Sequence, residues 1–486
     1  MPDEADYIKR KENNFTSNPR KKLMNDIFPI RGFNPCESLL RHTPEQLRTF
    51  LRRMKTLNFN SIIIHYDYGW NRYKDIILEE CRNAGVEITL MTFGPRTFYR
   101  YTDWKKEFFA RREDGTFFTD KLECETFPCR FAPGAVEAYA AGCAAWLAEL
   151  PPEITRIHMR AADGRDYCCC PKCRQLPVVE RWNPFIEAFV STVKSRRPDL
   201  KIETDVYTMR YNIPADSSAF AAMDRIMFDT FPRFPAFPLG SSEDTCTRGH
   251  MRRAYGDGKE SDDQTVCTVM LQKIKEWNAA FPGKVYIHEN VMKQGFAGNF
   301  QFGTSSYLQD IKTFQELEIM GVLFEAFEPG YGAFSGLFET LSQAMTGKET
   351  DTTPSEIELR FREYCSGRIS FDELHLEKYI KDPVLLENQK FFARRLTDLS
   401  PAFYRDYVAF AFENRDRLDY LAIAFHNLRY GIQQDKFTFT APLSPEAEKL
   451  CRSRKLWDFM EDISADQDPR AVTWECFKEL LAKLCD

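Results

Sequence analysis

The sequence predicts an α/β fold, a (β/α)8 barrel followed by a C-terminal α-helical domain. Short apolar, β-branched runs alternate with amphipathic helix patterns between residues 27 and 347. That alternation implies a parallel sheet with helices as crossovers. Eight such units at this length close most simply into a barrel. An open doubly wound sheet is the weaker alternative, because RGFNPCES after the first strand lacks a G-x-G-x-x-G turn.

The elements follow in order. Residues 1–26 are polar and basic and read as an N-terminal arm. IFPIRGF (27–33) is strand-like. Thr43-Pro44-Glu45-Gln46 combines an N-cap, a first-turn proline and a capping-box Gln, and opens the helix PEQLRTFLRRMKTL. SIIIHY (61–66) is a buried strand, RYKDIILEECRNA a helix stopped at Gly85, and VEITLMTF (86–93) a strand. A long insertion (94–133) precedes the helix GAVEAYAAGCAAWLAEL and the strand RIHMRA (156–161). Asn183-Pro184 marks a helix start before PFIEAFVSTVKSRR, and KIETDVY (201–207) and RIMFD (225–229) are strands. VCTVMLQKIKEWNAAF ends at Pro282-Gly283 and is followed by the strand KVYIHEN (284–290). SYLQDIKTFQELEIM ends at Gly321 before the strand VLFEAF (322–327), and GLFETLSQAM closes the series. The barrel is thus expected over 27–350 and a helical domain over 351–486, where PVLLENQKFFARRL and RDYVAFAFENRDRLDYLAIAFHNL are helical.

Composition excludes several function classes. The net charge of −6 removes the basic footprint of a nucleic-acid or anionic-membrane partner. No apolar run approaches the roughly 20 residues of a membrane span. MPDEADYIKRKENNF has no apolar leader core, and 15 cysteines, an odd number, suit free thiols or metal ligands, so a cytoplasmic location is expected. Aromatics are high at 14%; most must be core, and a surplus is also what a cleft that stacks rings on sugar faces would need. Nothing in the sequence sets the oligomeric state.

A barrel of this kind carries its site at the C-terminal ends of the strands. The polar residues expected there are Arg31; His65 and Asp67, with Trp70 beyond; His158, Arg160 and Asp163; Asp205, Tyr207 and Arg210; Asp229; His288, Glu289 and Asn290; and Glu325 and Glu328. There is no G-x-S-x-G elbow, no H-E-x-x-H on a helix and no P-loop. Carboxylates facing an aromatic, Arg-bearing cleft are the equipment of glycoside hydrolysis, in which two carboxyl groups flank the scissile bond. A salt-bridge network that only fills the barrel is the competing reading of any single residue. Two further functions compete with the hydrolase: a non-catalytic carbohydrate-binding barrel, and a zinc hydrolase using His65, His158 or His288, for which no ligand spacing is present.

HMRAADGRDYCCCPKC, NPFIEAFVSTVKSRRPDLKIETDVYTMRYNIP and GVLFEAFEPGYG resemble a barrel family first catalogued as a domain of unknown function. That family lies near the α-glucuronidases and β-N-acetylhexosaminidases and includes endo-acting β-N-acetylglucosaminidases. The resemblance covers roughly residues 27 to 347. It is specific at the Asp-Gly and C-x-C-x-x-C motif after strand 4 and at Gly321 to Glu325. It implies Asp163 and Glu325 as catalytic residues and Arg31 as a sugar-gripping strand-1 arginine. Glu289 joins them on its chemistry, because His288-Glu289 departs from the family's acidic or aromatic pair. Strand 4 ends Ala161-Ala162-Asp163, without the adjacent acidic pair of acetamide-assisted hexosaminidases. The three carboxylates Asp163, Glu289 and Glu325 are expected to converge, with Arg31, His65, Asp67, Trp70, Arg160, Tyr207, His288 and Glu328 binding an imported oligosaccharide.

Cys170 and Cys173 form a C-x-x-C with Cys168 close by. Two readings stay open. One is a structural zinc site completed by Cys246 on the loop after strand 6, with no cofactor needed for catalysis. The other is reduced thiols packed as small apolar groups.

Overall fold

The computed structural model describes residues 28–118, 127–161, 167–207, 211–231, 233, 235–243, 265–290, 303–325, 335–394, 400–415, 421–453 and 455–484. Eight parallel strands close into a barrel in sequence order: β1 Ile30–Asn34, β2 Ser61–His65, β3 Glu87–Phe93, β4 Arg156–Arg160, β5 Lys201–Val206, β6 Arg225–Asp229, β7 Val285–Glu289 and β8 Gly321–Glu325. Strand 8 returns beside strand 1 in full register, so that Asn34 lies level with Glu325 at the seam.

Successive side chains of a strand point to opposite faces. In a closed barrel the two sets therefore form two cores. Ile30, Ile63, Met91, Met227, Tyr286 and Leu323 make a small apolar layer of their own inside the barrel. Phe33, Ile62, Ile64, Leu90, Ile157, Ile226, Ile287 and Phe324 belong to the large core shared with the surrounding helices. Toward the N-terminal ends of the strands the interior is charged. Arg156 pairs with Glu203 at 3.1 Å, Arg225 with Glu87 at 2.7 Å, and the Tyr286 hydroxyl donates to Glu203 at 2.8 Å. These pairs satisfy charges that would be costly to bury alone.

Local chemistry explains most helix boundaries. Thr43 caps Pro44–Thr56 in a full capping box, as expected. One boundary differs. The helix expected to begin at Pro184 spans Val178–Arg196, with Pro184 inside it. A proline there leaves the carbonyl four residues earlier without its amide partner. That carbonyl belongs to Glu180, and Arg130 donates its guanidinium to it, so the helix continues through the proline.

Gly321 opens β8 where β1 comes closest. A Cβ at this position would sit 1.9 Å from the Ile30 carbonyl oxygen.

The helices after residue 350 dock in two places. Helix Glu356–Cys365 and residues 371–380 build a core with Ala236 and Phe237 of the loop after β6 and Cys267 of helix Val266–Ala280. Helices Pro401–Glu413, Leu421–Gln433, Pro445–Arg452, Leu456–Glu461 and Pro469–Lys483 share a core with Leu40, Tyr68 and Phe93, which sit at or just beyond the C-terminal ends of β1, β2 and β3. Arg96 joins the layers, pairing with Asp458 at 2.5 Å and donating to the Tyr68 hydroxyl at 2.8 Å. Among the described residues no helix is long and apolar enough to cross a membrane.

Gly321→Ala is expected to cost about 1–3 kcal/mol, the range for overpacking, read as a lowered urea midpoint with an unchanged slope. Unchanged stability would show that the β1–β8 seam relaxes freely.

Candidate active site

The inward-facing residue at the C-terminal end of each strand is fixed by alternation. In β3 this is Phe93; in the other seven strands it is polar: Asn34, His65, Arg160, Asp205, Asp229, His288 and Glu325, and together they line the barrel mouth. They are linked side chain to side chain. His65 Nε2 lies 3.1 Å from Asn34 Oδ1, Asn34 Nδ2 lies 3.0 Å from His288 Nε2, and His288 Nδ1 lies 3.0 Å from Asp229 Oδ2. This order assigns the protons: His65 donates to the Asn34 carbonyl, the Asn34 amide donates to His288 Nε2, and His288 Nδ1–H donates to Asp229. Arg160 continues the chain, 3.6 Å from Asp229 and 3.4 Å from Asp205. Its guanidinium lies 4.4 Å from the centre of the Tyr207 ring. Asn290 donates to the other Asp229 oxygen at 2.8 Å.

Glu325 stands at the end of this chain, its Oε2 3.8 Å from His288 Nε2. Glu325 and Arg160 each keep 5% of their surface exposed, whereas Asn34, His65, Asp229 and His288 keep 1% or less. Glu325 and Arg160 are therefore the members of the chain with most access to a ligand. The others orient them.

Of the expected residues, His65, Arg160, His288 and Glu325 come together here, with Tyr207 beside them. Asp67 is close by but engaged: its Oδ2 accepts from the Phe93 amide at 3.1 Å and from the Thr97 hydroxyl at 2.7 Å, tying the loop after β2 to the loop after β3. Trp70 is buried in the core between barrel and helices. Asp163, Glu328 and Cys246 lie outside the described residues.

Two placements differ from expectation, and alternation explains both. Arg31 has the opposite parity to Asn34. Its guanidinium leaves the barrel and holds the backbone carbonyls of Asn58, at 2.9 Å, and of Phe28. Both lie toward the N-terminal ends of the strands, away from the mouth. Glu289 has the opposite parity to His288. It is buried outside the barrel, where the Thr230 hydroxyl donates to it at 2.9 Å and Arg233 lies 3.3 Å away. Arg233 also pairs with Asp310 of helix Thr304–Glu316. Glu289 thus joins β7 to a helix and does not meet Glu325. Burial, opposed by Arg233, pushes its carboxyl up to about 7. Asn34 was not among the expected residues. The signal for it was its place as the third inward residue of β1, after Ile30 and Gly32.

The cysteines form a second cluster. The Sγ atoms of Cys129, Cys168, Cys170 and Cys173 all lie within 4.8 Å of one another, a group able to hold a metal ion. Among the described residues no other set of three or more His, Cys, Asp or Glu side chains brings its ligand atoms together in this way. The fourth member is Cys129 from the loop after β3, where Cys246 had been expected.

In comparisons with known proteins, no family model and no curated protein matches the chain. Solved structures do. An endo-1,4-β-mannanase from Rhizomucor miehei is 12% identical, with 61% of this chain and 85% of that chain covered and a TM-score of 0.36. A GH42 β-galactosidase, Gan42B of G. stearothermophilus, is 12% identical over 76% and 64% of the two chains, with a TM-score of 0.40. A glucosidase from Croceicoccus marinus is 10% identical over 70% and 68%, with a TM-score of 0.35. These neighbours are glycoside hydrolases.

Two outcomes follow from these placements. Arg31→Ala is expected to leave sugar affinity unchanged and to lower stability by about 1.5–3 kcal/mol, the range for a charged hydrogen bond. A titration calorimetry series paired with urea unfolding checks it. For Glu289, the folded-state value of about 7 lies above the ordinary carboxylate range. Folding therefore favours its protonated form, and this contribution is complete below about pH 4.5 and is lost as pH rises through 7. Glu289→Gln should accordingly gain on the wild type across that window in unfolding free energy. A constant difference between the two proteins would contradict the assignment.

Proposed function

We propose that the chain is a glycoside hydrolase that cleaves a glycosidic bond of an oligosaccharide at the barrel mouth, hexosaminidase- or glucuronidase-like in substrate. Glu325 is the central catalytic carboxylate and Asp163 its partner across the scissile bond. His65, Arg160, Tyr207 and His288 bind or orient the sugar. The observation that carries this reading is the position of Glu325: a carboxylate at the end of β8 that keeps 5% of its surface exposed, backed by a buried chain of side chains from six other strands. Such preorganisation is what a group acting on a developing charge requires.

The proposed step uses carboxylates and water and no cofactor. One carboxyl group protonates the departing glycosidic oxygen, and the other stabilises or attacks the anomeric carbon or activates water. Arg160 offers the fixed fork of donors that suits paired hydroxyls or a uronate carboxylate. The Asn34–His288–Asp229 run keeps the imidazole oriented beside Glu325. We also place the protein in the cytoplasm, a reading supported by eleven described cysteines that form no disulfide.

A non-catalytic carbohydrate-binding barrel is the second reading. It is favoured by Glu289, which turns away from the mouth and leaves one expected carboxylate out of the site.

A screen of aryl glycosides and oligosaccharides against wild type and Glu325→Gln separates the two. The hydrolase reading expects turnover that falls by about 10²–10⁴-fold in the variant, the usual contribution of a positioned acid or base, with sugar affinity retained. Binding without turnover in the wild type would establish the second reading.

A further inference from the structure

We propose that Cys129, Cys168, Cys170 and Cys173 bind one structural zinc ion as a closed four-thiolate site that braces the loop after β3 to the loop after β4. This is independent of the hydrolase reading and stands or falls without it.

The geometry is that of a tetrahedral sulfur shell. Zinc–sulfur bonds of about 2.3 Å place tetrahedral sulfurs about 3.8 Å apart. Cys129 Sγ lies 3.9 Å from both Cys170 Sγ and Cys173 Sγ. Disulfide sulfurs would be about 2.05 Å apart, and all four cysteines are free. Three of the four are buried and Cys170 is partly so. Apolar packing alone gives no reason for four sulfurs to point at one another.

Backbone amides also address the sulfurs. The Arg111 amide lies 3.4 Å from Cys168 Sγ, and the Cys173 amide lies 3.4 Å from Cys170 Sγ. The second belongs to the turn Cys170-Pro171-Lys172-Cys173, in which an amide points back at the first sulfur of its own C-x-x-C. Such donors complement the negative charge of a metal-bound sulfur. Four thiolates around a divalent ion leave two negative charges. The cationic residues Arg130 and Lys172 are next in sequence to Cys129 and Cys173, and both reach the Phe131 ring.

The site has a mechanical consequence. Other contacts already join the two loops: the Cys169 amide donates to the Arg111 carbonyl at 2.7 Å, and the Phe127 and Tyr167 ring centres lie 4.5 Å apart. Zinc would add four short bonds at the same seam. Four protein ligands leave no position for water, so the ion serves structure and not chemistry. Binding takes up one zinc ion and releases the thiol protons, with no change of oxidation state.

The full-length protein, purified without chelator, is tested by elemental analysis and by replacing its metal with cobalt. About one zinc per chain is expected, and the cobalt form should show the intense visible bands of a tetrahedral thiolate site. Cys129→Ser should lose most of the zinc and weaken those bands, while Cys246→Ser keeps both. If Cys129→Ser fails to fold, the wild-type count and cobalt spectrum decide alone. Removing zinc from the wild type should lower the melting temperature. Iron in place of zinc, no bound metal with four reactive thiols, or zinc lost from Cys246→Ser but kept in Cys129→Ser would each overturn the proposal.

Discussion

Closing eight parallel strands into a barrel sends every second side chain to the interior, and everything else about this molecule is arranged around that constraint. The interior is narrow, so its middle is filled by Ile30, Ile63, Met91, Met227, Tyr286 and Leu323. Its lower end is occupied by an arginine–glutamate network, and its upper end by residues that hydrogen-bond one another in a chain. None of these polar groups would be tolerated singly at such burial. They are paired with one another from different strands, some neighbouring, as His65 with Asn34, and some across the interior, as Arg225 with Glu87. The His288 imidazole shows the dependence most clearly, since its two nitrogens are addressed from β6 and β1 and its edge faces β8.

The same alternation sorts the neighbouring residues that do not belong to the mouth. Glu289 and Arg31 are adjacent in sequence to inward-facing residues and so must face outward. There they do structural work, one joining β7 to a helix through Arg233 and the other holding two backbone carbonyls. The helices near the C-terminus depend on the barrel in turn. Arg72 donates to the carbonyls of Ile463, Ser464, Ala465 and Gln467, and the Gly69 amide donates to Glu461 at 2.9 Å, so the loop after β2 and the first turn of the helix that follows it are the socket for this layer. The layer therefore borders the mouth on the side of β1 to β3.

Much of this was legible in the sequence, and the exceptions have physical causes. The strands and their order follow from β-branched runs between capped helices, and closure into a barrel follows from their number. His65, Arg160, His288 and Glu325 follow from lying at strand ends. What the residue types alone do not show is which of two adjacent polar residues faces inward. That depends on the parity of the whole strand, so Asn34 emerges only when β1 is carried one residue beyond Phe33. Pro184 looks like a helix start because the partner of the Glu180 carbonyl, Arg130, lies far back in the chain. The fourth cysteine is set by topology. The loop after β4 neighbours the loop after β3, which supplies Cys129.

The functional site we propose is the inward-facing chain at the barrel mouth, with Glu325 at its end. A crystal structure of Glu325→Gln with an oligosaccharide bound tests it most directly. The account predicts a sugar ring at the mouth within hydrogen-bonding distance of residue 325 and of Arg160, with Glu289 still held by Arg233 and remote from the ligand. A sugar bound elsewhere on the molecule, or one that contacts Glu289 and leaves residue 325 untouched, would contradict it.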